Sequence, residues 1–165
     1  MRKFLPLGLI FLALACGSSP SEPEGQSATN DRRDYLETPE EFVVLESGVD
    51  SKYKSSGLFV FKNRYEWQRH YEAHRQYNEY VPQAPSVDFS KEIVIALHDG
   101  LEYSTRNKIE IVSISYDMTD GVNQVRYRRY QDAKAPEIVR ETYPYSFYVA
   151  GKDVQNVEYR FIEVQ

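Results

Sequence analysis

The sequence predicts an α+β protein with a mostly antiparallel sheet of about seven strands, open or sandwich-like, and one helix packed on it. Three observations lead to this prediction. Short apolar or alternating segments recur between turn residues, which is typical of strands joined by short connections. Only one segment shows the spacing of an amphipathic helix. The 165-residue chain also contains 14 tyrosines, and tyrosine favours strands and half-buried surfaces.

The N-terminal residues 1–15 have the features of a secretory leader. Arg2 and Lys3 precede an apolar run over residues 4–15, which is shorter than the roughly 20 residues needed to span a bilayer. The run ends in the stretch LALAC, which resembles a bacterial lipobox. The resemblance implies transfer of diacylglycerol to Cys16, cleavage before it and acylation of the new N-terminus. An ordinary signal peptide, cut after Ala15 beside an incidental cysteine, is the alternative.

Composition after cleavage restricts the partners and the chemistry. The processed chain keeps 18 Lys and Arg against 25 Asp and Glu, a formal charge of −7. Such an acidic chain gains nothing from counterion release, so we expect no nucleic-acid partner. Cys16 is the sole cysteine, and its acylation leaves no disulfide, no cysteine metal ligand and no thiol nucleophile. We expect no cofactor.

The leader also predicts a location. The lipid on Cys16 would anchor the chain to a membrane of the bacterial cell envelope. Gly17 is not the aspartate that retains many lipoproteins at an inner membrane, which favours the outer membrane where one is present.

The rest of the chain divides into a tether and one domain. Residues 16–38 carry the acylated cysteine and a disordered tether rich in Ser, Glu, Pro and Gly, which cannot bury enough apolar surface to fold. Residues 39–165 form a single globular domain. We predict strands over residues 42–47, 56–62, 93–97, 109–116, 122–130, 145–151 and 157–164.

Two details of these strands are predicted from local pattern. The unbroken apolar run 93–97 indicates a strand buried on both faces. The turn MTDG at 118–121 predicts a hairpin between the strands on either side of it. The last two strands, which follow each other closely, are predicted to pair.

The predicted helix covers residues 63–77. Asn63 is a suitable N-cap, and Glu66 follows it by three residues as in a capping box. Pro82 and Pro85 prevent the helix from continuing. One helical face carries Trp67, His70, Tyr71, His74 and Tyr77.

Residues 56–150 resemble the C-terminal domain family named after PrcB, the lipoprotein subunit of a spirochaete surface protease complex. The match rests on Trp67, the run Val87-Asp88-Phe89-Ser90 with the apolar strand after it, and Thr142 with Pro144. The resemblance implies an exported, often lipidated and non-catalytic domain. It also suggests accessory binding to an envelope protease.

A basic, aromatic stripe in the segment RYRRY is the candidate partner-binding site. Strand alternation places Arg126, Arg128 and Tyr130 on one face and Tyr127 and Arg129 on the other. Arginine and tyrosine are favoured contact residues at protein interfaces. The tyrosines could instead stack on sugars, or the stripe could be a solvated face whose arginine stems shield the sheet.

The histidines offer a different chemistry. His70 and His74 are one helical turn apart, but the glutamate between them is in the wrong place for the metalloprotease pattern H-E-x-x-H. His98 and Asp99 end a strand before Gly100, for which we predict a positive φ. We predict Asp88 to form an Asx-turn. No nucleophile-elbow motif G-x-S-x-G occurs in the chain.

These observations together predict a non-catalytic envelope lipoprotein whose domain binds a partner protein, such as a surface protease complex. A glycan- or peptidoglycan-binding module is an alternative. A hydrolase or metal enzyme using His70, His74 or His98 is a further one.

The anchor is directly testable. Palmitate fed to the native cells should label the protein, and Cys16→Ser should abolish the label because the acceptor sulfur is gone. Persistent labelling of Cys16→Ser, or no label on the unaltered protein, would exclude the lipid anchor.

Overall fold

The computed structural model describes residues 41–75, 82–151 and 158–165. The predicted leader, Cys16, the tether and Tyr77 lie outside these residues. The described part contains one helix, α1 (Arg64–Arg75), and seven strands. The strands are β1 (Phe42–Gly48), β2 (Gly57–Phe61), β3 (Glu92–His98), β4 (Asn107–Asp117), β5 (Val122–Gln131), β6 (Tyr145–Gly151) and β7 (Tyr159–Glu163).

The strands form two sheets. The larger has the order β1-β6-β3-β2 with every neighbouring pair antiparallel. The smaller has the order β4-β5-β7, in which β4 and β5 form an antiparallel hairpin and β7 runs parallel to β5. The predicted fold class, a mostly antiparallel α+β fold with a helix packed on it, is confirmed in its sandwich-like form.

Strand β3 lies at the centre of the larger sheet and is buried on both faces, as predicted. Ile93, Ile95 and Leu97 point into a core shared with β4 and β5 of the smaller sheet. Val94 and Ala96 point the other way, into a core shared with α1. The described part is therefore three layers deep, with α1, the larger sheet and the smaller sheet in that order.

The start of α1 is capped as predicted. The Asn63 side-chain oxygen accepts a hydrogen bond from the Glu66 backbone N–H at 3.0 Å, which satisfies one of the free donors of the first turn. Trp67 is buried against Phe61 and Phe147, and its indole N–H donates to the Pro85 carbonyl at 3.2 Å. The proline-rich segment is thereby attached to the helix. This helix is too short and polar to cross a bilayer, and the described residues contain no other.

The predicted turns are also present. Gly121 has a φ of +67° at the β4–β5 turn, and its N–H donates to the Asp117 carbonyl at 2.8 Å. Gly100 has the predicted positive φ, +82°, after β3. Asp88 accepts a hydrogen bond from the Ser90 N–H at 3.1 Å, which forms the predicted Asx-turn before β3.

The prediction that the last two strands pair is wrong. Strand β6 pairs with β1 and β3 in the larger sheet, whereas β7 pairs with β5 in the smaller one. Residues of β6 alternate between the two cores, so this strand must be covered on both faces. A central position in the larger sheet provides that cover. The need to bury both faces of β6 therefore determines which strands it pairs with, and its nearness to β7 in the sequence does not.

Two side chains of β6 connect the sheets. The Tyr148 hydroxyl accepts a hydrogen bond from the Ile111 N–H at 3.0 Å, and the Ser146 hydroxyl donates to the Ile109 carbonyl at 2.5 Å. Both contacts are buried. Backbone groups of β4 are thereby satisfied across the interface between the layers.

Removing one of these contacts should destabilise the domain. Tyr148→Phe leaves the buried Ile111 N–H without an acceptor, which should lower the free energy of unfolding by about 1–3 kcal/mol. Urea denaturation measures the change. Tyr65→Phe, at a side chain that is 70% exposed, is the matched control and should stay within about 0.5 kcal/mol. Equal effects of the two substitutions would contradict the assigned contact.

Candidate functional site

One end of the sandwich contains a cleft of about 290 Å³. It lies where β3 and β5 finish and β4 begins, so residues distant in sequence meet there. Its walls come from Asp99, Glu102, Asn107, Lys108, Arg129, Tyr130 and Gln131. Tyr130, one of the residues predicted from the basic stripe, borders this cleft, although strand alternation places its side chain on the opposite face of β5 from Arg129.

Arg129 ties the cleft to the rest of the sandwich. Its guanidinium forms ion pairs with Asp99, after β3, and with Glu163 of β7, the latter at 2.5 Å. Burial alone would lower the pKa of Arg129, but the two carboxylates raise it above its ordinary value. The side chain of Asp99 is only 5% exposed. Arg129 therefore fixes the ends of three strands relative to one another.

The remaining polar groups of the cleft are less constrained. The Asn107 side-chain amide donates to Glu102 Oε2 at 2.7 Å. Lys108 lies directly across from Tyr130 in the β4–β5 register. The part of the chain that the structure describes gives the Lys108 ammonium neither a hydrogen bond nor an ion pair.

The predicted stripe lies on β5 with the predicted alternation. Val125 and Tyr127 are buried in the core between the sheets, whereas Arg128 is exposed on the opposite face. Arg128 pairs with Glu110 at 2.6 Å, and its guanidinium lies 5.1 Å from the centre of the Tyr130 ring. Arg126 donates to the side chain of Gln124 at 3.4 Å. The structure thus brings Arg128 and Tyr130 into contact, with Arg126 further along the strand.

Next to the cleft, two loops run side by side over residues 101–106 and 135–142, and we call this feature the loop ribbon. Glu102 and Thr142 exchange two backbone hydrogen bonds of 2.9 and 2.8 Å. The Thr105 N–H donates to the Ile138 carbonyl at 3.2 Å, and the Ile138 N–H donates to the Thr105 hydroxyl at 3.0 Å. Arg106 adds a bond to the Ala135 carbonyl at 2.9 Å. The ribbon is therefore held in one conformation by its own hydrogen bonds.

This ribbon concentrates exposed apolar side chains. Nine large apolar residues of the described part are exposed, and four of them are on these two loops. Their exposed fractions are 44% for Leu101, 61% for Tyr103, 56% for Ile138 and 78% for Val139. Exposed apolar groups gathered at one place mark interaction sites more often than scattered ones do.

A second polar cluster lies between α1 and the larger sheet. The three histidines of the chain meet there, although sequence separates them by up to 28 residues. His70 Nε2 and His98 Nε2 are 2.9 Å apart. Ser51 Oγ lies 2.8 Å from His74 Nδ1 and 3.5 Å from His98 Nδ1. His74 and His98 are fully buried.

Glu46 of β1 is the charged member of this cluster. Tyr145 and Tyr71 donate hydrogen bonds to it at 2.5 and 3.0 Å, and Arg75 forms an ion pair with it. His74 Nε2 lies 3.6 Å away, which is too long for a hydrogen bond but close enough for a charge interaction. Burial raises the pKa of Glu46, but these contacts outweigh burial and lower the pKa to about 2.

All three histidines are held neutral. Burial lowers the pKa of His70 to about 4 and that of His98 to about 3, with the neighbouring histidines adding to both shifts. Burial also lowers the pKa of His74, and the opposing attraction of Glu46 is smaller. When the pH falls, each imidazole therefore gains a proton more readily in the unfolded state than in the folded state.

Chemically, Ser51, His74 and Glu46 form a row of hydroxyl, imidazole and carboxylate. Ser51 is only 3% exposed, and its oxygen accepts a further hydrogen bond from the Tyr53 N–H at 3.0 Å. This conformation therefore keeps the hydroxyl away from an external substrate. Within the described residues, no three His, Cys, Asp or Glu side chains are arranged to hold a metal ion.

Sequence reasoning missed several of these residues. Glu46 and Ser51 lie in a different part of the chain from the helix whose histidines they contact. The ribbon carried only a weak signal, since Ile138 and Val139 are an apolar pair in a stretch for which no strand or helix is predicted. Lys108 carried no signal beyond its position at the start of a strand.

Comparisons with protein-family models, with curated proteins and with solved structures found no match to this chain.

The neutral histidines predict acid sensitivity. Their pKa values are lower in the folded state than the ordinary value of 6.5, so the unfolded state binds more protons as the pH falls below 6.5. The free energy of unfolding should drop from pH 6.5 towards pH 4, by up to about 1.4 kcal/mol per pH unit for each histidine. Loss of the Glu46 contacts should add to this drop below pH 4.5.

Urea denaturation at several pH values measures this slope. His70→Gln removes one titrating ring and should make the slope shallower. Arg69→Gln, on an exposed neighbouring position of α1, is the matched control and should leave the slope unchanged. A stability that is constant or rises from pH 6.5 to pH 4 would contradict the assignment of neutral buried histidines.

Proposed function

We propose that this chain is a non-catalytic, lipid-anchored protein of a bacterial cell envelope whose domain binds a partner protein through the loop ribbon. The leader with its lipobox supports the anchor. The resemblance of residues 56–150 to the PrcB-type domain supports an accessory role beside an envelope protease or another envelope complex. The observation that carries the binding proposal is that four exposed apolar side chains belong to the two hydrogen-bonded loops of the ribbon.

The physical cost of that surface supports the proposal. Each exposed apolar side chain would gain about 25 cal/mol per Å² on leaving water. The ribbon keeps Leu101, Tyr103, Ile138 and Val139 exposed although its backbone is held by hydrogen bonds. Burial against a second protein recovers this free energy, and tyrosine is among the residues that dominate such contacts.

The rigidity of the ribbon favours binding as well. Association is weakened when loops must become ordered at the interface, by about 0.5–1.5 kcal/mol for each side chain that is immobilised. The Glu102–Thr142 and Thr105–Ile138 hydrogen bonds order the backbone of the ribbon before any partner arrives. A partner then meets a surface that is already formed.

The stripe predicted from the sequence lies beside this surface. Arg128 is exposed and already paired with Glu110, so it suits a polar rim rather than the centre of an interface, where such a pair would lose hydration. Arg126 and Tyr130 extend the same face of β5. The ribbon therefore forms the apolar centre of the proposed interface, and the basic stripe forms its edge.

Photo-crosslinking in native cells tests the site. A photo-reactive phenylalanine analogue replaces Tyr103 in one strain and Met118 in another. Met118 is 68% exposed in the β4–β5 turn, about 30 Å from the ribbon end of β4 at the usual rise per strand residue. A discrete adduct from position 103 and not from position 118 is expected. The same adducts from both positions, or none from either, would overturn the proposal.

The affinity should depend on the same residue. With the crosslinked partner purified, Tyr103→Ala should weaken binding at least about tenfold, which corresponds to about 1.4 kcal/mol. Met118→Ala should bind as the unaltered protein does. Because both side chains are exposed, neither substitution should change the thermal stability by more than a few degrees.

A further inference from the structure

The histidine cluster joins α1 to the larger sheet through one continuous row of polar atoms. His70 and His74 belong to α1, and His98 is the last residue of β3. His70 Nε2 lies 2.9 Å from His98 Nε2, and Ser51 Oγ lies 3.5 Å from His98 Nδ1 and 2.8 Å from His74 Nδ1. At the far end of the row, His74 Nε2 lies 3.6 Å from a Glu46 oxygen. The row therefore connects the helix to both β3 and β1.

Glu46 determines the direction in which the hydrogens point along this row. Its contacts lower the pKa of Glu46 to about 2, so the carboxylate is ionised at neutral pH. A neutral imidazole has one N–H and one acceptor nitrogen, and an ionised carboxylate favours the N–H on the side that faces it. His74 therefore carries its hydrogen on Nε2 and presents Nδ1 as the acceptor for the Ser51 hydroxyl.

The rest of the row follows from the Ser51 hydroxyl. A hydroxyl has one donor and two acceptor positions. This one donates to His74 and accepts from the Tyr53 N–H at 3.0 Å. The second acceptor position is left for His98 Nδ1, which therefore carries the hydrogen of that ring. His98 Nε2 is then an acceptor, and His70 Nε2–H donates to it. Each contact in the row thus contains a single hydrogen.

An added proton does not fit into this row. His74 and His98 can gain a proton only at the nitrogens that already accept a hydrogen bond, so protonation places two hydrogens in one contact of 2.8 or 2.9 Å. His70 can gain a proton at Nδ1, but burial and repulsion from His74 lower its pKa. A released helix leaves each imidazole free to take up a proton at its ordinary pKa.

The other groups around the cluster contribute one negative charge. Glu46 of β1 faces the cluster, but Arg75 of α1 pairs with it. Tyr71 of α1 and Tyr145 of β6 are neutral donors to the same carboxylate, and the ring of Tyr53 packs beside the histidines. Strand β2 contributes phenylalanine rings without charge. Among the groups that the structure describes here, one carboxylate thus faces an arginine and three imidazoles, and protonation leaves an excess of positive charge.

The core between the two sheets does not use α1. Its buried members all come from β3, β4, β5 and β6, such as Ile95, Ile114, Val125 and Tyr148. The helix instead covers the opposite face of the larger sheet, where Trp67 is buried. Release of α1 therefore exposes one face of the larger sheet and leaves the other face packed.

We infer that the row of Glu46, Ser51 and the three histidines is an acid-sensitive latch, which releases α1 from the larger sheet while the two sheets stay packed. Each imidazole that takes up a proton only after release favours the released state by up to about tenfold per pH unit. Three imidazoles together supply up to about 1,000-fold per pH unit. A change from 1% to 99% released needs about 10,000-fold, so a fall of about two pH units is sufficient.

Two readouts on the full chain, kept in a non-ionic detergent, test the latch between pH 7 and pH 3.5. Trp67 is the one tryptophan of the chain and is 1% exposed on α1. Its fluorescence should shift to longer wavelength when the helix is released. Hydrogen exchange measured by mass spectrometry, corrected for the intrinsic effect of pH on exchange, reports whether β4 and β5 stay protected.

The expected result is a shift of the Trp67 emission that is steeper than a single-site titration. Its midpoint should lie below the ordinary histidine pKa of 6.5, at a pH where β4 and β5 remain protected. A constant emission down to pH 3.5 would overturn the inference. So would a shift that coincides with loss of protection in β4 and β5, because the whole domain would then unfold at once.

A variant assigns the release to the histidines. His70→Gln keeps a side-chain N–H but cannot take up a proton, so the transition should involve about one proton fewer and its slope should become shallower. Arg69→Gln, at an exposed neighbouring position of α1, is the matched control and should leave the slope unchanged. Equal slopes of His70→Gln and the unaltered protein would contradict the latch.

The direction of the hydrogens is tested without any substitution. Nitrogen NMR of the imidazole rings at pH 7 should show the hydrogen on Nε2 in His70 and His74 and on Nδ1 in His98. A hydrogen on Nδ1 of His74 would overturn the row as assigned, because Ser51 could not donate to it. Crosslinking from position 103 does not depend on these outcomes, so failure of the latch and failure of the partner surface are distinguishable.

Discussion

The double burial of β3 is the constraint on which the rest of the structure depends. Ile93, Ile95 and Leu97 cannot face water, and neither can Val94 and Ala96 on the other side. A single covering layer would leave one face of β3 exposed to water. The helix therefore covers one face and the second sheet covers the other. The same requirement extends to β6, whose residues alternate between the same two cores.

The two polar sites arise where this central strand ends. His98 continues the alternation towards α1 and joins the buried histidines, whereas Asp99 continues it towards the smaller sheet and pairs with Arg129. Adjacent residues thus belong to clusters in different layers. Gly100, with its positive φ, then turns the chain towards the loop ribbon. The end of β3 is polar on both faces because the two apolar cores end before His98 and Asp99.

Local pattern was sufficient for most of the fold, but long-range pairing was not. The capped helix, the Asp-Gly hairpin and the buried strand 93–97 each depend on residues close together in sequence. The position of β6 depends on which strands can cover both of its faces, and the tendency of consecutive strands to pair gave the wrong neighbour. For the same reason the alternation of the RYRRY segment was predictable, whereas the partners of Arg129, which lie 30 and 34 residues away, were not.

Glu102 links the two surfaces at this end of the molecule. Its backbone forms the bridge to Thr142 that orders the ribbon, and its carboxylate accepts a hydrogen bond from Asn107 in the cleft. One residue therefore positions both the start of β4 and the loop ribbon. A shift that separates Glu102 from Asn107 or from the buried Thr142 leaves polar groups without their partners, which costs about 1–3 kcal/mol where the group is buried. Neither feature can therefore move far while the other stays in place.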